Sequence, residues 1–204
     1  MKASLDKFQS YSNYVHGYDA TIKFLYEGIE INKIAAPDAV YPLLFLIRHF
    51  IEIGCKGNIH ALAITSGLTD GTGRIHQLRP LYDAVKIHFN NVVAKTQMTV
   101  AQEEEFKKAH DNLNELVKLF ENIDPNSVAF RYPKTIQKKT RSLDVDLNEI
   151  YNQYVQAKDF LIYLADFMLG NRKTFYEDTG YFLAGGIWDD KGTLQDDKKF
   201  NGGI

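Results

Sequence analysis

Apolar positions recur at intervals of three and four along most of the chain, which is the signature of amphipathic helices. Val15, Tyr18, Ile22, Leu25 and Ile29 predict a first helix over about 10–32. Pro37-Asp38 interrupts the chain, and Asp38 can cap a second helix with Pro42 in its first turn, where a missing amide donor is tolerated. That helix runs to about Ser66, where Gly67-Leu68-Thr69-Asp70-Gly71-Thr72-Gly73 forms a loop. Leu78, Leu81, Tyr82, Val85, Phe89 and Val92 share one face of a third helix opened by Pro80. The order Thr99-Val100-Ala101-Gln102 has the form of a capping box. Behind it Phe106, Ala109, Leu113, Leu116, Val117 and Phe120 predict a fourth helix, stopped at Asp124-Pro125-Asn126. After an irregular stretch over 125–146, Leu147, Ile150, Tyr151, Tyr154, Leu161, Leu164 and Met168 predict a fifth helix over about 147–169.

The last 34 residues break this rhythm and are rich in glycine. Tyr181-Phe182-Leu183-Ala184 and Ile187-Trp188 could pair through a Gly185-Gly186 turn, because glycine tolerates the positive φ angles of a primed turn. Long helices joined by short loops predict an all-α bundle of four to five helices over 1–170, with a C-terminal extension over 171–204. One cysteine, Cys55, permits no intrachain disulfide, and no apolar run is long enough for a signal or a membrane span. A soluble, cytoplasmic protein is expected. The 24 Lys plus Arg are offset by 26 Asp plus Glu, so the chain lacks the basic excess of a general nucleic-acid coat protein.

Three stretches carry candidate chemistry. From Val40 to Ile53 the second helix is apolar except for Pro42, Arg48, His49 and Glu52. At about 100° per residue, Arg48, His49, Glu52, Lys56 and His60 fall inside one sector of about 120°. This stripe is either the sole solvent face of a buried helix or a polar groove suited to a phosphodiester. Next, Arg74, His76 and Arg79 surround the start of the third helix, where free amide donors and the helix dipole favour an anion. There His76 is either part of a phosphate site or a hydrogen-bonding plug. Finally, residues 130–141 contain five basic residues and no acid, including Arg131 and Lys134. Basic side chains interleaved with Phe130 and Tyr132 could grip single-stranded nucleic acid, or could form a solvated loop.

No phosphate-binding or dinucleotide-binding glycine motif occurs, and no Cys-x-x-Cys, His-Glu-x-x-His or Glu-x-x-His. The expectation is therefore no cofactor and no metal, although six scattered histidines would allow a chance site. Cys55, beside Gly54 on the apolar helix, reads as a small core residue.

The run Arg48-His49-Phe50-Ile51-Glu52, followed by Lys56 and then Arg74-Ile75-His76-Gln77-Leu78, resembles a bacterial branch of the HEPN superfamily. The pieces Asp124-Pro125 and Phe130-Arg131-Tyr132-Pro133 resemble another part of that branch, so the likeness covers about 10–170. It implies a HEPN-like bundle, commonly a homodimer, found in toxin–antitoxin and other bacterial defence systems, with an antitoxin or other protein as partner. In active members it implies metal-independent RNA cleavage in a cleft between two copies. Carried over, Arg48, His49 and His76 would be catalytic. Glu52, Lys56, Arg74, Arg79, Arg131 and Lys134 would contact RNA or a nucleotide. Active members place four to six residues between the arginine and the histidine. Here Arg48 adjoins His49, while eleven residues separate it from His60, so that spacing is absent. A ribonuclease or RNA-binding component, and a non-catalytic helical module that binds a nucleotide or a protein, are both open on the sequence.

Overall fold

A computed structural model of the chain describes residues 10–94, 100–128, 130–131, 145–179, 187–188 and 194–195. Among the described residues there are five helices: α1 (Tyr11–Glu30), α2 (Ala36–Ser66), α3 (Leu78–Val93), α4 (Val100–Ile123) and α5 (Leu147–Thr179). The all-α bundle expected from the periodicity is therefore the observed architecture.

α2 is the central element and packs against α1, α3 and α5, while α4 lies against α3 and α5. Its apolar residues bury in several directions at once: Leu43, Leu44, Ile47, Phe50, Ile51, Ile59 and Leu62 are all in the core. Two glycines let neighbours approach its backbone. A Cβ at Gly57 would sit 2.8 Å from the Tyr11 Cβ on α1, and one at Gly54 would sit 3.1 Å from Leu161 on α5. The buried Asn58 then ties α2 to α5 by donating from Nδ2 to the Leu161 carbonyl at 2.7 Å.

Capping explains several helix ends. Ser10 accepts from the Asn13 amide and starts α1. Gly67 ends α2 with φ 75°, a left-handed conformation that glycine adopts without Cβ strain. Asp146 accepts from the Asn148 and Glu149 amides and starts α5. At α2 the expected cap is corrected. The helix begins at Ala36 behind Ala35, with Asp38 inside the first turn and Pro42 within the helix. An acidic residue there still favours the positive end of the dipole. The expected Thr99 cap of α4 lies outside the described residues.

α1 and α5 are joined by aromatic and polar contacts. The Tyr26 and Tyr151 rings stack at 3.6 Å, and Tyr154 donates to Asp19 at 2.6 Å. α5 continues through the expected stop near 169 to Thr179, so the proposed boundary at 170 falls inside a helix. The apolar period that reveals a helix in sequence depends on a buried face, and a helix can continue after that face ends. In the extension, Ile187-Trp188 pairs antiparallel with Leu194-Gln195. The expected pairing of 181–184 with Ile187-Trp188 through a Gly185-Gly186 turn involves residues 181–186, which lie outside the described residues.

Candidate functional site

Of the α2 polar stripe, Arg48, Glu52 and Lys56 are buried while His49 and His60 are partly exposed, so the stripe is not a plain solvent face. Arg48 is 1% exposed and Glu52 3%. They remain charged there because each meets opposite charge and hydrogen-bonding groups from other segments. Arg48 Nη1 donates to Glu52 Oε2 at 3.2 Å, and Nη2 donates to the His76 carbonyl at 2.9 Å. Its Nε donates to the Asp124 carbonyl at 3.2 Å and lies 3.3 Å from the Asp124 carboxylate. One guanidinium thus joins α2 to the loop before α3 and to the turn after α4. The planar fork of donors in arginine is suited to such a three-way junction.

Glu52 gathers the other charges. Its Oε1 accepts from Lys56 Nζ at 3.1 Å and from His76 Nδ1 at 2.9 Å, while His49 Nδ1 stands 4.0 Å from Oε2. Burial pushes the Glu52 pKa up, but hydrogen bonds from His76 and Lys56 outweigh it and hold the carboxyl below its ordinary value. An ionised carboxylate can only accept, so His76 donates through Nδ1–H, and in the neutral imidazole Nε2 then carries the lone pair. The His76 side chain is 60% exposed, so this base faces solvent.

His49 lies one position along the stripe, half-buried. Its ring stacks on Phe45 at 5.6 Å, and Tyr18 of α1 meets it edge-on at 5.1 Å. Burial lowers its pKa, with Glu52 opposing, so the neutral imidazole is favoured. Farther along, His60 Nδ1 meets Asp70 Oδ2 at 3.0 Å, and Asp70 accepts from the Thr72 amide and hydroxyl. The loop between α2 and α3 is thereby pinned to the stripe at two places, His60–Asp70 and Glu52–His76.

The expected site residues divide by position. Arg48, His49, Glu52, Lys56 and His76 form one cluster. Arg131 belongs beside it: its guanidinium donates to the Ser127 carbonyl in the turn that Asp124 organises, and Asp124 Oδ1 accepts from the Val128 amide at 2.7 Å. Arg74 is exposed in the loop. Arg79 points to α4 instead, where it donates to Glu121 at 2.9 Å and to Asn114 at 2.8 Å. Lys134 lies outside the described residues.

Asp124, Tyr18 and Phe45 were not among the candidate site residues read from the sequence. The Phe45-to-His49 step of four offered a signal for one of them. Asp124 read as a helix stop and as part of the Asp124-Pro125 piece of the resemblance, and no local pattern shows that its carboxylate reaches Arg48. Among the described residues no group of three or more His, Cys, Asp or Glu side chains is arranged to hold a metal ion, and no helix is long and apolar enough to cross a membrane. Comparison with protein-family models, curated proteins and solved structures gives no match. The class that the fold itself defines is an all-α bundle with a buried ionic junction and a histidine at its edge.

Proposed function

We propose that this HEPN-like chain acts on RNA through the His49–Glu52–His76 face, cleaving it without a metal ion. The observation that carries the reading is the 2.9 Å contact between ionised Glu52 and exposed His76, which fixes one tautomer and presents Nε2 as a base. In the reaction His76 Nε2 takes the proton of a ribose 2′-OH, whose oxygen attacks the adjacent phosphorus. Protonated His76 then returns that proton to the departing 5′-oxygen, leaving a 2′,3′-cyclic phosphate and a 5′-OH, while His49, held neutral by burial, lines the same face. Arg48 is a positioning residue here: its donors already serve Glu52, His76 and Asp124. Lys56 supplies positive charge beside the carboxylate, and Arg131 and Arg74 attract phosphates from the rim. Two copies share the cleft, with a bacterial defence role and a protein partner that restrains cleavage.

The test is cleavage of an end-labelled single-stranded RNA in EDTA. Wild type should cleave it to cyclic-phosphate ends, and His76→Ala should abolish cleavage while keeping the wild-type melting temperature. Equal cleavage by wild type and the variant would remove His76 from the chemistry. Sedimentation of the active protein checks the dimer, because a cleaving monomer contradicts a shared cleft.

A second reading is favoured by the state of Arg48. A guanidinium that is buried, with Nε, Nη1 and Nη2 each already bonded to a protein oxygen, is closed off from a phosphorane-like transition state at the surface. Under this reading the cluster is a fastener, and the chain is a non-catalytic module that binds a nucleotide or a protein. Absence of cleavage by a folded, homogeneous wild-type protein is its expected result.

A further inference from the structure

A second site lies away from the α2 stripe, between α3, α4 and α5. Phe89, Phe106 and Phe160 meet there with ring centroids 5.1, 5.8 and 6.4 Å apart. They floor an open cavity of about 220 Å³. His110 forms part of its lining, its ring held by the Tyr82 hydroxyl at 2.5 Å from Nε2. Lys86 on α3 and Lys107 on α4 also line the cavity, and both are exposed.

Pockets that enclose a drug-sized ligand usually measure about 300–1,000 Å³, so this one suits a single ring system better than a dinucleotide. Aromatic faces attract a planar ring, and the two ammonium groups favour an anion attached to it. We propose that this cavity binds a nucleobase bearing a phosphate, with the base against Phe89 and Phe106 and the phosphate between Lys86 and Lys107. The site goes beyond the proposed RNA chemistry, because none of its residues belongs to the His49–Glu52–His76 cluster. The same base-and-phosphate unit could come from a free nucleotide or from one unstacked position of an RNA strand.

Titration of the full chain with adenosine monophosphate, followed by the NMR signals of His110 and the phenylalanine rings, tests the proposal. Adenosine and inorganic phosphate serve as controls. Saturable shifts with the monophosphate, weaker shifts with adenosine and none with phosphate alone are expected. The charge-reversing pair Lys86→Glu and Lys107→Glu, both at exposed positions, should weaken the monophosphate by at least about five-fold, and Phe106→Ala by a similar factor. Absence of saturation at millimolar ligand, or affinity unchanged in the lysine variant, overturns the proposal. Competition by single-stranded RNA assigns the site to the polymer, and its absence to the free nucleotide. RNA cleavage by the same lysine variant is a separate readout: its loss or survival bears on the His76 reading and leaves the nucleotide titration intact.

Discussion

Arg48 and Arg79 make similar bonds and have different consequences. Each joins a helix to another segment through a carboxylate and an uncharged oxygen. Arg48 does so inside the bundle, with Glu52, Asp124 and the His76 carbonyl as partners. Arg79 does so at the edge, 28% exposed, with Glu121 and Asn114 as partners and its guanidinium 5.2 Å from the Tyr82 ring centre. Water can replace any partner lost from the second, whereas nothing replaces one lost from the first. The same chemistry is thus a fastener at one place and a modest surface link at the other.

Removing one charge from the buried cluster should have the largest effect. Glu52→Ala leaves Arg48 and Lys56 without their common carboxylate, and Arg48→Ala leaves Glu52 and Asp124 facing each other's charge. Each should cost about 3–5 kcal/mol of stability, because a buried partner is left unpaired. Urea unfolding reads this directly. A loss below about 1 kcal/mol would show that water reaches the cluster, and would make Arg48 equivalent to Arg79.

Lowering the pH should act next. Burial lowers the pKa values of His49, His88 and His110 below 6.5, so the unfolded chain takes up protons before the folded one does. Stability therefore falls as pH drops from neutral through the ordinary histidine range. Glu52 and Asp70 add a second loss at lower pH. Their carboxyls are held below their ordinary values, so the stability they contribute is present above those values and disappears as pH falls through the depressed ones. Melting temperatures measured from pH 7.5 to pH 3.5 should fall in these two stages. A flat profile between pH 7.5 and 5 would contradict the burial of the three imidazoles.

At the edge, Arg79→Ala should cost about 1 kcal/mol or less, with salt reducing the difference further. A loss as large as that of Arg48→Ala would mean that the α3–α4 link is as essential as the central junction. Least of all should His76→Ala alter stability, since its imidazole is largely exposed and Lys56 and Arg48 continue to neutralise Glu52. A shift of the urea midpoint comparable to that of Glu52→Ala would make His76 a structural plug.

The positions of the helices were legible because burial on one face writes a period of 3.6 into the chain. Val15, Ile22, Leu81, Val85, Leu113, Leu116, Phe120, Ile150 and Tyr154 were all expected inward and are buried. Arg48, His49, Glu52 and Lys56 could be placed on one stripe for the same reason. Periodicity places residues on a face but does not say what covers it, and here the loop before α3 and the turn after α4 cover much of it. Residues without an apolar pattern were harder to place: the continuation of α5 to Thr179 and the pairing of Ile187-Trp188 with Leu194-Gln195 have no such signal.

By itself, then, the sequence determined an all-α bundle, an apolar central helix and the set of side chains that share its polar stripe. These follow from local geometry, in which each helical turn repeats the same direction. Only the tertiary structure decided that Arg48 and Glu52 are buried and that Asp124, 76 residues away, meets the guanidinium. It also left His76 at the edge with a free nitrogen. Charge pairing across distant segments depends on which loops close over a helix, and that choice is made by the packing of the whole chain.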